Sequence, residues 1–140
     1  MKEEIENKLD QLKKSVGELR KLKGLTWSEF SKDNVKRAAV ERFFQMSIEV
    51  VIDISSMIIS CENLEKPDDY RSIILKLGNS EILDENFAEE FADIAGFRNV
   101  LVHQYAKIDT KIVHRKLEEN LEDFNEFAKQ IATYLKEKED

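Results

Sequence analysis

One cysteine, one proline and four glycines are spread over 140 residues, and each shortage removes a class of protein. A single thiol, Cys61, forms no intrachain disulfide and supports no cysteine-based zinc cluster, which leaves it the role of a small apolar filler. So few turn formers mean few breaks, and the elements should be long. There is no P-loop, no glycine-rich dinucleotide fingerprint, no His-Glu-x-x-His pair, no internal repeat and no alternating strand pattern. Nothing here ligates a metal or cradles a cofactor by any of these routes. Uninterrupted apolar runs are scarce as well. The opening MKEEIENKLDQLKK lacks the apolar core of a secretory signal, and the most apolar stretch, SIEVVIDISSMIIS, is broken by Glu49 and Asp53. These absences point to a soluble, cytoplasmic protein with no membrane contact.

What is abundant is helix-forming material. Hydrophobic residues make up 41% and charged residues 36%, a globular balance, and a chain of this length can bury roughly two thirds of its unfolded surface. One domain over residues 1–140 is therefore expected. The net charge of −7 argues against indiscriminate nucleic-acid binding, but the charge is polarised. Six acidic residues and no basic ones lie between Glu81 and Asp93, whereas Arg98, Lys107, Lys111, Arg115 and Lys116 face only Asp109 in the next stretch, a local balance of +4.

Apolar spacing predicts an all-α, up-and-down bundle of four long helices and one short one. Ile5, Leu9, Leu12, Val16 and Leu19 form the stripe of a first helix that Gly24 ends. TWSEFSKDN reads as a connection anchored by Trp27 and Phe30, with Ser31 or Asp33 capping a second helix from about Asn34 to Glu62. Pro67 and two aspartates open a short helix with Tyr70, Ile73, Ile74 and Leu77 on its apolar side, closed by Gly78 and Asn79. Asp84 can cap a fourth helix that buries Phe87, Phe91, Ile94 and Leu101, with Phe97 and Val100 beside them, and reaches the neighbourhood of His103. A long last helix starts at Asp109 or Thr110 and carries Ile112, Val113, Leu117, Leu121, Phe124, Phe127, Ile131 and Leu135. His114 reads as solvent-exposed.

Two polar constellations stand out. In the second helix Glu41, Gln45, Glu49 and Asp53 recur every four residues and make one drifting polar stripe. It is either a solvent face or the wall of a cleft, because Phe43, Phe44, Met46, Ile48, Val50, Val51, Ile52 and Ile54 occupy most of the remaining circumference. Buried carboxylates would require an arginine or histidine close by. The second constellation is GFRNVLVHQY, Gly96 to Tyr105. With Arg98 at 0° on a helical wheel, Asn99 falls at about 100°, His103 at about 140° and Tyr105 near −20°, so the polar groups share one broad face. Arg98 and His103 are separated by roughly 7.5 Å of rise and converge only on a shared ligand such as a phosphate or if the helix bends. Histidine takes and gives protons near neutral pH, and arginine offers a planar fork to phosphate oxygens. RNA carries its own nucleophile, so this pair suits phosphodiester cleavage without a metal.

The string Arg98-Asn99-Val100-Leu101-Val102-His103-Gln104-Tyr105 matches R-x4-H-x-Y and resembles the HEPN superfamily, specifically the HepT toxins. ERFFQMSIEVVIDIS, PDDYRSIILKL, the Gly-Phe before the motif and the YAKID overlapping its end are also similar to the family pattern, so the resemblance spans nearly the whole chain. It implies an all-helical ribonuclease that works as a homodimer on RNA and is paired with a minimal nucleotidyltransferase antitoxin. Arg98 and His103 would be catalytic, Asn99 supporting, and Tyr105 the residue that the antitoxin adenylylates. One of Glu41, Gln45, Glu49 or Asp53 would orient the catalytic groups, which one being open. The competing reading is a non-catalytic helical module that holds a nucleotide or substrate for a separate transferase subunit.

Overall fold

The computed structural model describes residues 1–102 and 109–139. Seven helices follow in order among them: α1 (Lys2–Leu22), α2 (Trp27–Lys32), α3 (Asn34–Cys61), α4 (Tyr70–Asn79), α5 (Glu85–Val102), α6 (Thr110–Glu119) and α7 (Leu121–Glu139). All regular structure among the described residues is helical. The four long helices expected are α1, α3, α5 and α7, but three short helices accompany them instead of one.

The helix starts obey local chemistry. Asp33, Asp69 and Asp109 cap α3, α4 and α6, accepting hydrogen bonds from Lys36 N, Ser72 N and Lys111 N respectively. The stretch read as a connection is α2, because Thr26 and Glu29 form a reciprocal capping box around its first turn. The expected single last helix is divided at Asn120, whose backbone (φ −117°, ψ 3°) leaves helical geometry between α6 and α7. The apolar stripe runs through that break undisturbed: Val113, Leu117, Leu121, Phe124, Phe127, Ile131 and Leu135 are all buried.

α3 is the central element. It runs antiparallel to α1, with Lys8 meeting Asp53 and the buried hydroxyls of Ser15 and Ser47 bonded to each other. α4 and α5 are likewise antiparallel, with Gly78 against Ala88 at one end and Arg71 against Asp93 further along. A chain of rings joins the layers: Phe44 of α3 stands edge-on to Phe97 of α5 at 5.9 Å, and Phe91 of α5 stands edge-on to Phe124 of α7 at 5.7 Å. Such pairs contribute about 0.5–1.5 kcal/mol each beyond their burial, and they set the register of α5 against its neighbours. Among the described residues α3 is the one helix long and apolar enough to cross a bilayer by length and composition, yet half of its apolar window is buried in this core.

Three side chains depart from expectation. Cys61 is exposed and fills no core space, because α3 ends there. Of the two aromatic anchors of α2, Phe30 is buried but Trp27 is 38% exposed. His114 is not on the open surface: its Nε2 lies 2.8 Å from the Leu25 carbonyl, and its ring packs against Phe30 at 5.1 Å and Trp27 at 5.9 Å.

Candidate active site on α5

The site is built on the last turns of α5. Asp84 Oδ2 accepts from Phe87 N at 3.0 Å and so caps the helix, while Asp84 N donates to Gln130 Oε1 of α7 at 2.8 Å. The start of α5 is thereby tied to the bundle, and burial of Phe91, Ile94 and Phe97 fixes its rotation. Arg98, one residue past Phe97, consequently sits at the edge of the core and not in open solvent.

Arg98 has two partners on two other helices. Its Nη2 donates to Glu49 Oε1 of α3 at 3.3 Å, and its guanidinium carbon lies 5.1 Å from the ring centroid of Tyr70, the first residue of α4. The arginine and glutamate side chains are 26% and 36% exposed, so the pair is screened less than a surface bridge. Arg98 Nε is shut off from solvent and makes no hydrogen bond among the described residues. Glu49 Oε1 also accepts from Gln45 Nε2 at 3.2 Å, so one oxygen holds an amide from its own helix and a guanidinium from α5. The fork is thus held by a carboxylate and by the ring beneath it, an arrangement that leaves donors available for an oxyanion.

The polar stripe of α3 therefore divides. Gln45 and Glu49 belong to the Arg98 seat. Asp53 instead pairs with Lys8 of α1 at 3.4 Å. Glu41 is half-buried one turn before Gln45, and burial pushes its carboxyl above the usual range while the nearby Arg37 charge opposes the shift. Asn99 is exposed, as its place on the wheel implies. Val100 is exposed too, at 39%, and does not join the buried side. His103 and Tyr105 lie outside the described residues. Tyr70 had no signal in the sequence: it is part of an apolar stripe, and only the packing of α4 on α5 brings it beneath Arg98.

Comparison with known proteins bears on the family and the fold. The model of the family described as Ribonuclease HepT-like matches residues 5–131. The chain is 27% identical over 131 residues to the tRNA nuclease HepT of Aphanizomenon flos-aquae, covering 94% of this chain and 89% of that protein. It is 26% identical over 127 residues to the mRNA nuclease HepT of Shewanella oneidensis, covering 91% and 95%. Among solved structures, a tri-AMPylated Shewanella oneidensis HEPN toxin in complex with MNT antitoxin aligns with a TM-score of 0.83 at 26% identity, over 92% of this chain and 96% of that one. A cytosolic protein of unknown function, YutE from Bacillus subtilis, shares the fold at a TM-score of 0.83 and 20% identity, over 98% and 92%. Matched across 127 of its residues, 5 to 131, and folded as these toxins are, the chain belongs to the ribonuclease HepT-like family of all-α, HEPN-type ribonucleases.

Proposed function

We propose that residues 1–140 act as one HEPN-like helical domain, the toxin of a toxin-antitoxin pair, which cleaves RNA internally without a metal in the cytoplasm. The observation that carries this reading is the seating of Arg98 by Glu49 and Tyr70 at the head of the R-x4-H-x-Y string. The 2′-oxygen attacks the adjacent phosphorus as His103 takes its proton. The new P–O2′ bond forms as the P–O5′ bond breaks, and a protonated histidine returns a proton to the leaving 5′-oxygen. Arg98 stabilises the extra negative charge on the phosphorane oxygens. The products are a 2′,3′-cyclic phosphate and a 5′-hydroxyl.

Two copies of the motif facing each other would supply both histidines and double the local positive charge. Support for a homodimer comes from α3, where Phe43 and Val50 are only half-buried and Met46 is exposed, lining a groove of about 410 Å³ against α1. The relatives named as HEPN toxins with MNT antitoxin support a nucleotidyltransferase partner, and modification of Tyr105 with AMP would place a phosphodiester where substrate must approach.

The test is cleavage of end-labelled RNA by the purified protein in excess EDTA. Cutting that leaves cyclic phosphate ends, and that is lost in Arg98→Ala and His103→Ala, is expected. Nucleotide binding without cleavage would point to the accessory-subunit reading, and efficient cutting of RNA lacking the scissile 2′-hydroxyl would defeat internal attack.

A further inference from the structure

Trp27 is the single tryptophan of the chain and is 38% exposed. Its backbone is held by the Thr26–Glu29 capping box, and buried Phe30 anchors the same short helix three residues on. The His114 ring packs between Trp27 and Phe30, and His114 Nε2 bonds the Leu25 carbonyl. Glu118, one turn further along α6, accepts from Gly24 N at 2.8 Å. The indole is therefore an exposed ring on a rigid mount, and little side-chain entropy remains to be lost when something stacks on it.

Basic side chains of α6 lie close by. In a chain of net charge −7, the side chains of Lys111, Arg115 and Lys116 form no ion pair among the described residues. Lys111 Nζ lies instead 5.9 Å from the Trp27 ring centroid, and Lys116 Nζ lies 5.3 Å from the ring centroid of Phe97, the neighbour of Arg98. On the α6 wheel, with Lys111 at 0°, Arg115 falls at about 40° and Lys116 at about 140°. Arg115 and Lys111 are exposed. The three cations thus form a band across α6 that starts over the Phe97 ring of α5 and ends on Trp27.

We propose that this band is a single-stranded RNA subsite, with phosphates tracked by Lys116, Arg115 and Lys111 and one base stacked on Trp27. The proposal rests on the ribonuclease reading and adds where the strand runs beyond the scissile phosphate. A helix with its side chains is about 10–12 Å across, a width that a strand of about two to three nucleotides crosses. Stacking tolerates any base, whereas the phosphate contacts release counterions and make binding salt-dependent.

The only tryptophan is also the reporter. Wild-type protein is titrated with fluorescein-labelled, fully 2′-O-methylated 12-residue oligo(A) and oligo(U), which cannot be cleaved by internal attack, while anisotropy and Trp27 emission are read together. Quenching of Trp27 with the same midpoint as the anisotropy rise is expected for both. Trp27→Ala, with folding checked by circular dichroism, should weaken binding about 5- to 100-fold, and Trp27→Phe should recover part of that loss. Lys111→Gln with Arg115→Gln should lower the slope of log Kd against log salt by about 1.4, whereas Trp27→Ala leaves the slope unchanged. An equal response to polyglutamate would assign the surface to an acidic protein partner and overturn the subsite. RNA cleavage abolished by Arg98→Ala together with an unresponsive Trp27 would overturn the subsite alone. Neither cleavage nor binding would overturn both readings.

Discussion

Gly78 lies buried near the end of α4 where that helix crosses α5, and a Cβ added there would stand 2.5 Å from Cβ of Ala88. Non-bonded carbons settle at roughly 3.5–4.0 Å, so Gly78→Ala forces the two helices apart by about 1 Å or more. Two effects oppose each other. Alanine in place of helical glycine gains at most about 1 kcal/mol, and less at the penultimate residue of a helix. Overpacking a filled contact costs about 1–3 kcal/mol. Ala88 can only retreat by moving α5, which the ring contacts of Phe91 and Phe97 hold in place, so overpacking wins. The expected result is a net loss of about 1–2 kcal/mol and a fall in Tm of about 3–8 °C, read by thermal circular dichroism. Because α4 begins with Tyr70 and α5 carries Arg98, RNA cleavage should fall as well. The control is Ala88→Gly, which removes the opposing methyl. In that background Gly78→Ala should become neutral or stabilising, since only the propensity gain remains. A rise in Tm from Gly78→Ala alone, or the same change in both backgrounds, would refute the close-contact argument.

Glu49→Ala removes the oxygen shared by Arg98 and Gln45 and should lower the cleavage rate about 10- to 100-fold, with a smaller loss in Glu49→Gln, which keeps a neutral acceptor; unchanged initial rates in Glu49→Ala would remove it from the site. Tyr70→Leu should depress kcat more than KM, while Tyr70→Phe keeps the ring face under the guanidinium and most of the rate; equal rates for Leu and Phe would show that the ring is only packing. Glu62, at the end of α3, has its carboxyl held below the usual range by the Lys138 ammonium and then by the Tyr134 hydroxyl. The stability this contributes is fully present above the unfolded value near 4.5 and is lost as the pH falls from there through the lower folded value. Urea midpoints at about pH 7 and pH 3 should therefore differ less in Glu62→Gln than in the wild type. Tyr105→Phe should fold, keep ribonuclease activity and escape silencing by the partner transferase with ATP, and an AMP adduct found elsewhere by mass spectrometry would reassign the modified residue.

The helices and their caps were legible, and the candidate residues could be picked out, because both depend on short-range rules. The 3.6-residue period, aspartates ahead of apolar stripes and the spacing of Arg98, Asn99, His103 and Tyr105 all act within a few turns of one chain segment. Even α2, in the stretch read as a connection, is marked by Thr26 and Glu29 three residues apart, the spacing of a capping box. The break at Asn120 was harder to see, since a stripe that continues through a change of direction looks like one helix.

Tertiary packing decided everything that links two helices. Sequence spacing set four polar residues on one stripe of α3, but successive members differ by about 6 Å of rise, and it is the packing of α3 on α5, with Phe44 edge-on to Phe97, that brings Glu49, not Glu41 or Asp53, to Arg98. Packing of α4 on α5 draws Tyr70 beneath the guanidinium, and packing of α6 on α2 takes His114 off the surface, while Trp27 and Val100 stay exposed. A side chain's period tells which face of its own helix it occupies. Which neighbour that face meets is set by how dozens of core side chains interdigitate at once, and no local stretch of this sequence contains that information.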